Sequence, residues 1–288
     1  MGSFRIGQTK SVNNIRPLQI GRAVPNIASL TDHRALGNHE KGLSALGNLN
    51  DLIRKIPVAS LKKLEPHTKK VSFAAGEFLY RPDEQIDWLY FPETAVISEL
   101  QILEDGRTIE VSITGHEGAV GIPSIYFPGR AANWVQVCGP GMALKIKRDA
   151  FRKETRNLEW VNLLLQEYIQ SYIRQISQKV ACNAHHSVEE RFCTWLLMLQ
   201  DRSPRGRLKL TQEHVARVLG VYRPSVTCIA QQLRDSALID YVRGNIVILD
   251  REKLKERSCG CYAELSSSPA LSVKAYDGYP KQNKQLAI

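Results

Sequence analysis

The sequence predicts an α+β protein, and three stretches carry that expectation. From Lys70 to Ile146, short alternating runs are broken by a turn about every ten residues. Arg148 to about Ala184 changes to a helical period, and Leu210 to Leu233 reads as two short helices around one tight turn, with a hairpin signal after them. A β-sandwich, jelly roll or barrel, then a long helix, then a helix-turn-helix with a wing is the implied order.

Taken along the chain, residues 1–48 are interrupted by Gly, Asn and Pro and lean basic, which predicts a flexible arm. A short helix follows at Asn50 to Leu64, ended by Pro66. The strand runs are Val71 to Tyr80, Trp88 to Phe91, Ala95 to Leu103, Arg107 to Thr114, Trp134 to Val137 and Ala143 to Ile146. Glu104-Asp105-Gly106 has the chemistry of a hairpin turn. The expected β domain spans 49–147.

In the segment 148–184, Val161, Leu165, Tyr168, Tyr172, Ile176 and Val180 recur every three or four residues. Leu163, Leu164, Ile169 and Ile173 add apolar surface on other sides, so pairing with a second copy is the economical way to cover it. A further helix is expected from Ser187 to Asp201, with Ser187 as N-cap and Glu190 completing a capping box. Phe192, Trp195, Leu196 and Leu199 form its buried side.

Within the helix pair, Thr211 is a suitable N-cap and Glu213 places negative charge in the first turn. Val215, Ala216, Val218 and Leu219 make the apolar side, and Gly220 can take the left-handed conformation that stops a helix. Pro224 restarts the chain, which holds Arg223 at or just before the second helix. Val226, Ile229, Ala230 and Leu233 then face inward, while Pro224, Thr227, Cys228, Gln231 and Asp235 face out. Two β-rich runs from Leu238 to Leu249 flank Arg243-Gly244-Asn245, putting Arg243 at the tip of a wing where it can reach a phosphate. A DNA-binding domain over 185–262 is the reading, with a polar tail over 263–288 expected to be disordered.

Composition agrees. The 288 residues leave room for two domains, and 43% apolar content supplies ordinary cores. A net charge of +10, from 39 Lys plus Arg against 29 Asp plus Glu, favours a polyanionic partner. With neither a run of 18 apolar residues nor a secretory apolar segment, the cytoplasm is expected and a membrane is not. The six cysteines, Cys138, Cys182, Cys193, Cys228, Cys259 and Cys261, are expected as free thiols. Only Cys259-Gly-Cys261 is close-spaced, and without a second pair at ligand spacing no metal site is expected. His185 and His186, being neighbours, would point about 100° apart on a helix.

No nucleophile elbow, phosphate loop or dinucleotide fingerprint occurs, so an enzyme is not expected. The rival to DNA binding is a small-molecule-binding signalling module whose carboxyl-terminal helices meet protein.

The whole order is similar to that of the Crp/Fnr superfamily of bacterial transcription regulators. The resemblance covers about Leu52 to Cys261. In the β domain it rests on Gly76-Glu77, Asp87-Trp-Leu-Tyr-Phe91, Asp105-Gly-Arg107 and Glu117-Gly-Ala-Val-Gly121. In the DNA domain it rests on Ser187-Val-Glu-Glu-Arg191, Leu210-Thr-Gln212 and Leu219-Gly-Val-Tyr-Arg-Pro-Ser-Val226. It implies a double-stranded β-helix of the jelly-roll type, a long helix that pairs subunits, and a two-fold dimer on double-stranded DNA, with an effector in or near the β-roll. RNA polymerase is a further partner class. By position, Arg223 resembles the family's base-reading arginine, with Ser225, Thr227 and Cys228 as neighbours in the groove and Thr211 and Gln212 beside them.

Cyclic-nucleotide-binding members carry a glutamate after the glycine matched by Gly121, where this chain has Ile122, which cannot accept a ribose hydroxyl bond. Arg130, the one candidate effector contact, is followed by Ala131 and Ala132, so cyclic AMP is not expected as a ligand. The iron-sulfur members use amino-terminal cysteines, and the first here is Cys138, so no such cluster and no other cofactor is expected. For haem, His67 and His116 are the candidate axial ligands.

Overall fold

The structure, a computed structural model, describes residues 50–127, 129–203, 207–242 and 245–266. The expected amino-terminal arm, most of the expected tail and Arg243 lie outside them.

Asn50 opens the β domain by bonding in both directions. Its amide donates to the Pro92 and Gly118 carbonyls, both at 2.8 Å, and its carbonyl accepts from the amides of Leu52 and Ile53. The expected helix is cut in two, a 3₁₀ turn at Ile53–Lys55 and α1 at Val58–Leu64. Pro57 explains the break, since the residue before a proline is pushed out of the helical region and Ile56 is extended at ψ 138°.

Seven strands follow: β1 (Thr68–Phe73), β2 (Phe78–Tyr80), β3 (Trp88–Pro92), β4 (Val96–Ile102), β5 (Thr108–Thr114), β6 (Trp134–Gly139) and β7 (Gly141–Lys147). They form two antiparallel sheets, ordered β1-β7-β3 and β2-β6-β4-β5. The expected single run Val71 to Tyr80 is therefore two strands in different sheets, separated at Gly76, whose φ of +92° suits glycine. Strand alternation divides β3 between two cores. Tyr90 joins Tyr80, Ile97 and Val135 in one, and Leu89 and Phe91 join Leu144, Ile146 and Phe151 in the other.

The expected helix over 148–184 is also two, α2 (Arg148–Thr155) and α3 (Glu159–His185). Asn162 accounts for the interruption. Its side-chain amide spans the break, reaching the carbonyls of Thr155 and Arg156 at the end of α2 and of Leu158 at the N-cap of α3, each at 3.1 Å.

Burial along α3 corrects part of the expected pairing surface. Val161, Leu165 and Tyr168 are buried in the core of their own β domain, and the Tyr168 hydroxyl donates to the Ala119 carbonyl at 2.8 Å. Tyr172 and Ile176 are half-buried beside the same domain, and of the six only Val180 is exposed. A helical period identifies an apolar stripe without saying what covers it, and here the β domain covers most of it. Leu163 and Ile173 are exposed with Val180, on a different face.

Next comes α4 (Val188–Arg202), whose capping box forms as expected. The Glu190 amide donates to the Ser187 hydroxyl, and the Glu190 carboxylate accepts from the Ser187 amide at 2.8 Å. Ser187→Ala should cost about 1 kcal/mol, read as a lower urea midpoint with an unchanged slope. The remaining elements are β8 (Arg207–Lys209), α5 (Gln212–Leu219), α6 (Arg223–Asp235), β9 (Ile239–Val242), β10 (Asn245–Ile248), α7 (Arg251–Glu256) and α8 (Cys261–Ser266). The expected wing thus gains a third strand, in the order β8-β10-β9. The first residues of the expected tail belong to α8.

Two buried ion pairs join α4 and α3 to the β domain. Glu110 on β5 accepts from the Lys179 ammonium at 3.0 Å, the Trp195 indole at 3.2 Å and the Ser98 hydroxyl at 2.6 Å. Glu117 accepts from the Arg202 guanidinium at 2.6 Å and from the Gly115 amide at 3.1 Å. Both acids are buried, so each pair fixes position as well as charge.

Candidate nucleic-acid interface

The interface is built from a cap, a stop and a restart. Thr211 accepts the His214 amide at 3.1 Å and starts α5. Gly220 ends it in the left-handed region at φ +65°, where its amide and that of Val221 return to the carbonyls of Arg217 and Ala216. Tyr222 is the N-cap position of α6 and Arg223 its first residue, with Pro224 in the first turn.

The faces of α6 match the expected division. Val226, Ala230 and Leu233 are buried and Ile229 is half-buried, while Arg223, Pro224, Ser225, Thr227, Cys228, Gln231 and Asp235 are exposed. Thr227 and Gln212, fifteen positions apart, meet at 2.8 Å across the two helices, with the hydroxyl donating to the Gln212 side-chain carbonyl. The result is one polar, solvent-facing surface with an arginine at a helix N-terminus. Tyr222, 84% exposed, stands beside Arg223 and was not singled out by sequence. Its position in the turn was the available signal.

The turn rests on its own β domain. A Cβ on Gly220 would come within 3.3 Å of the Ile109 side chain at the start of β5. Nothing in the sequence of either segment reveals that neighbour.

Within the β domain, a cavity of about 420 Å³ is lined by Tyr80, Glu99, Arg130, Tyr168, Tyr172 and Ile176 among others. Ile122 is wholly buried in the adjoining core, away from this lining. Arg130 is exposed and donates to the Asp83 carbonyl at 2.7 Å. Neither His67 nor His116 is among the lining residues, and His116 instead meets the Asp51 carboxylate at 3.3 Å.

Glu99, unmarked in the sequence, is the acid in this wall. It accepts from the Tyr172 hydroxyl at 2.6 Å and from the Asn133 amide at 3.3 Å. Burial raises its carboxyl above the usual range, and those hydrogen bonds act in the opposite direction. A raised folded-state value stabilises below the ordinary value of 4.5, and that contribution is lost as pH rises through the folded value. Urea unfolding over a pH series should therefore show wild type losing more stability than Glu99→Gln as pH rises above 4.5.

A β domain, a long helix and a winged helix-turn-helix with an exposed arginine-led recognition helix define a DNA-binding regulator. The family model for a Crp-like helix-turn-helix domain matches residues 190–257. The CRP-like cAMP-activated global transcriptional regulator of Mycobacterium tuberculosis is 26% identical over 210 residues, spanning 69% of this chain and 91% of that one. The global nitrogen regulator of Synechococcus elongatus is 23% identical over 222 residues, spanning 74% and 99%. FixK2 from Bradyrhizobium japonicum shares the fold with a TM-score of 0.55 at 17% identity, over 67% of this chain and 98% of that one. The chain thus carries a Crp-like helix-turn-helix domain and is similar over about 70% of its length to transcription regulators of the Crp type.

Proposed function

We propose that this regulator acts in the cytoplasm as a homodimer on an inverted-repeat DNA site, with RNA polymerase as a further partner and no catalytic activity. The observation that carries the reading is the exposed row Arg223, Ser225, Thr227 and Cys228 over a buried Val226, Ala230 and Leu233. Two such helices would enter successive major grooves about 34 Å apart. Arg223 would grip a guanine through two hydrogen bonds, with Thr227 held in place by Gln212. Thr211 at the α5 N-terminus and Arg243 in the wing would contact phosphate.

The surface offered to a second copy is the exposed face of α3. Leu163, Gln170, Ser177 and Ala184 recur every seven residues, with Gln166, Ile173 and Val180 between them, and all are exposed. That 3-4 spacing suits a parallel helix pair. Ile122 supports a β domain that has lost the ribose contact, leaving Arg130 as the candidate effector residue.

Selection from random duplexes with the purified protein tests the reading. A palindromic consensus is expected. Binding without sequence preference and with weak salt dependence would instead favour the protein-binding module.

A further inference from the structure

Four side chains with soft or borderline donor atoms converge where the long helix meets the DNA domain. Cys182 and His186 lie four positions apart on the last turn of α3 and its C-cap, so they share one face. Cys259, in the turn after α7, and Cys261, the first residue of α8, meet that end. The three sulfurs and one imidazole nitrogen all lie within 4.8 Å of one another. Cys182 Sγ is 3.5 Å from Cys259 Sγ, and Cys261 Sγ is 3.5 Å from His186 Nδ1. The three cysteines are buried free thiols. The second ligand pair that Cys259-Gly-Cys261 lacks in the sequence is thus supplied by Cys182 and His186.

We propose that Cys182, His186, Cys259 and Cys261 bind a single tetrahedral Zn²⁺ ion that ties the carboxyl-terminal end of the DNA domain to the long helix. Zn–S bonds of about 2.3 Å and a Zn–N bond of about 2.0 Å at tetrahedral angles separate the four donors by roughly 3.5–3.8 Å. The observed 3.5 Å contacts fall in that range, and the widest separation needs to close by only about 1 Å. Donors this close leave no room for the irons and bridging sulfides of a polynuclear cluster. Three thiolates with one imidazole is a donor set that selects zinc among divalent ions.

The surroundings suit bound thiolates. The Gln178 amide donates to Cys261 Sγ at 3.0 Å. The Thr194 hydroxyl lies 3.1 Å from Cys259 Sγ, its oxygen accepts the Cys259 amide at 3.2 Å, and once the sulfur is a thiolate its proton is the one available to donate to it. Outer contacts of this kind orient metal ligands and temper their charge. Gln178 is on α3 and Thr194 on α4, so the proposed site gathers three separate segments at the joint where α3 passes into α4. Metal binding at such a place fixes the attitude of the DNA domain to the long helix.

The test is metal analysis of the purified full chain, with thiols kept reduced. About one zinc per chain is expected. Cys261→Ser and His186→Ala should each lower the content at least about tenfold, while Cys228→Ser, which alters the exposed cysteine, should leave it unchanged. Because a ligand variant can misfold, wild type stripped by a chelator and titrated with Co²⁺ supplies a second readout. An intense visible spectrum of tetrahedral cobalt-thiolate type, saturating at one equivalent, is expected. X-ray absorption of the zinc form should give three sulfurs at about 2.3 Å and one nitrogen at about 2.0 Å. Absence of zinc together with failure to bind Co²⁺, full retention in both ligand variants, or a Cys182–Cys259 disulfide in the reduced-state preparation would overturn the proposal. None of these readouts involves DNA, so the site and the DNA-binding reading stand or fall separately.

Discussion

Arg223→Ala is expected to erase discrimination between the selected palindrome and a scrambled duplex while leaving non-specific binding nearly intact. A bidentate arginine–guanine contact contributes about 1–3 kcal/mol of discrimination, so two half-sites contribute roughly 2–6 kcal/mol. At about 1.4 kcal/mol per decade that is from about 30-fold to on the order of 10⁴-fold. Fluorescence anisotropy on the two duplexes at several salt concentrations checks it. Arg223→Lys should fail in the same way, because an ammonium lacks the planar fork. Equal weakening on both duplexes, with a shallower salt slope, would assign Arg223 to a phosphate instead.

The second large effect is expected at Glu110, wholly buried on β5. Glu110→Ala removes the shared acceptor of Lys179, Trp195 and Ser98, leaving a buried ammonium and two polar groups without it. Breaking a buried pair from one side costs about 3–5 kcal/mol, most of it the desolvation of the abandoned charge. Glu110→Leu combined with Lys179→Met should recover a large part, since an apolar pair of similar volume replaces an ionic one at little net cost. Trp195 and Ser98 still lack their acceptor, so about 1–3 kcal/mol of the loss should persist. Urea unfolding of Glu110→Leu, of Lys179→Met and of the double variant measures the coupling. If the singles add without interaction, the pair does not act as a unit.

The same acid joins β5, α3 and α4, and this links stability to function. Any rotation of the DNA domain against the β domain has to break or carry the Glu110 and Glu117 pairs. Their contribution is therefore to hold one attitude of the recognition helix, which the proposed reading of two half-sites would need.

Local chemistry was legible from end to end. The Ser187–Glu190 box, the Thr211 cap, the Gly220 stop and the Pro224 restart each depend on residues within a few positions, and each formed where expected. The inward and outward faces of α6 followed from 100° steps alone. Boundaries moved where one residue acted on its neighbours, as Pro57 did on Ile56 and as Asn162 did on the end of α2. The wing strand β8 was missed because three residues are too few to show a period.

What sequence by itself determined was the order of elements and the helix-turn-helix, because caps, turns and periodicities are properties of short windows. Tertiary structure alone decided which stripe of α3 is covered and which is exposed. It also decided that Glu99 enters a cavity wall, that Glu110 serves three donors, and that Cys182 and His186 meet Cys259 and Cys261. Each of these unites residues dozens of positions apart, and a one-dimensional pattern holds no distance between segments that touch only when the chain has folded.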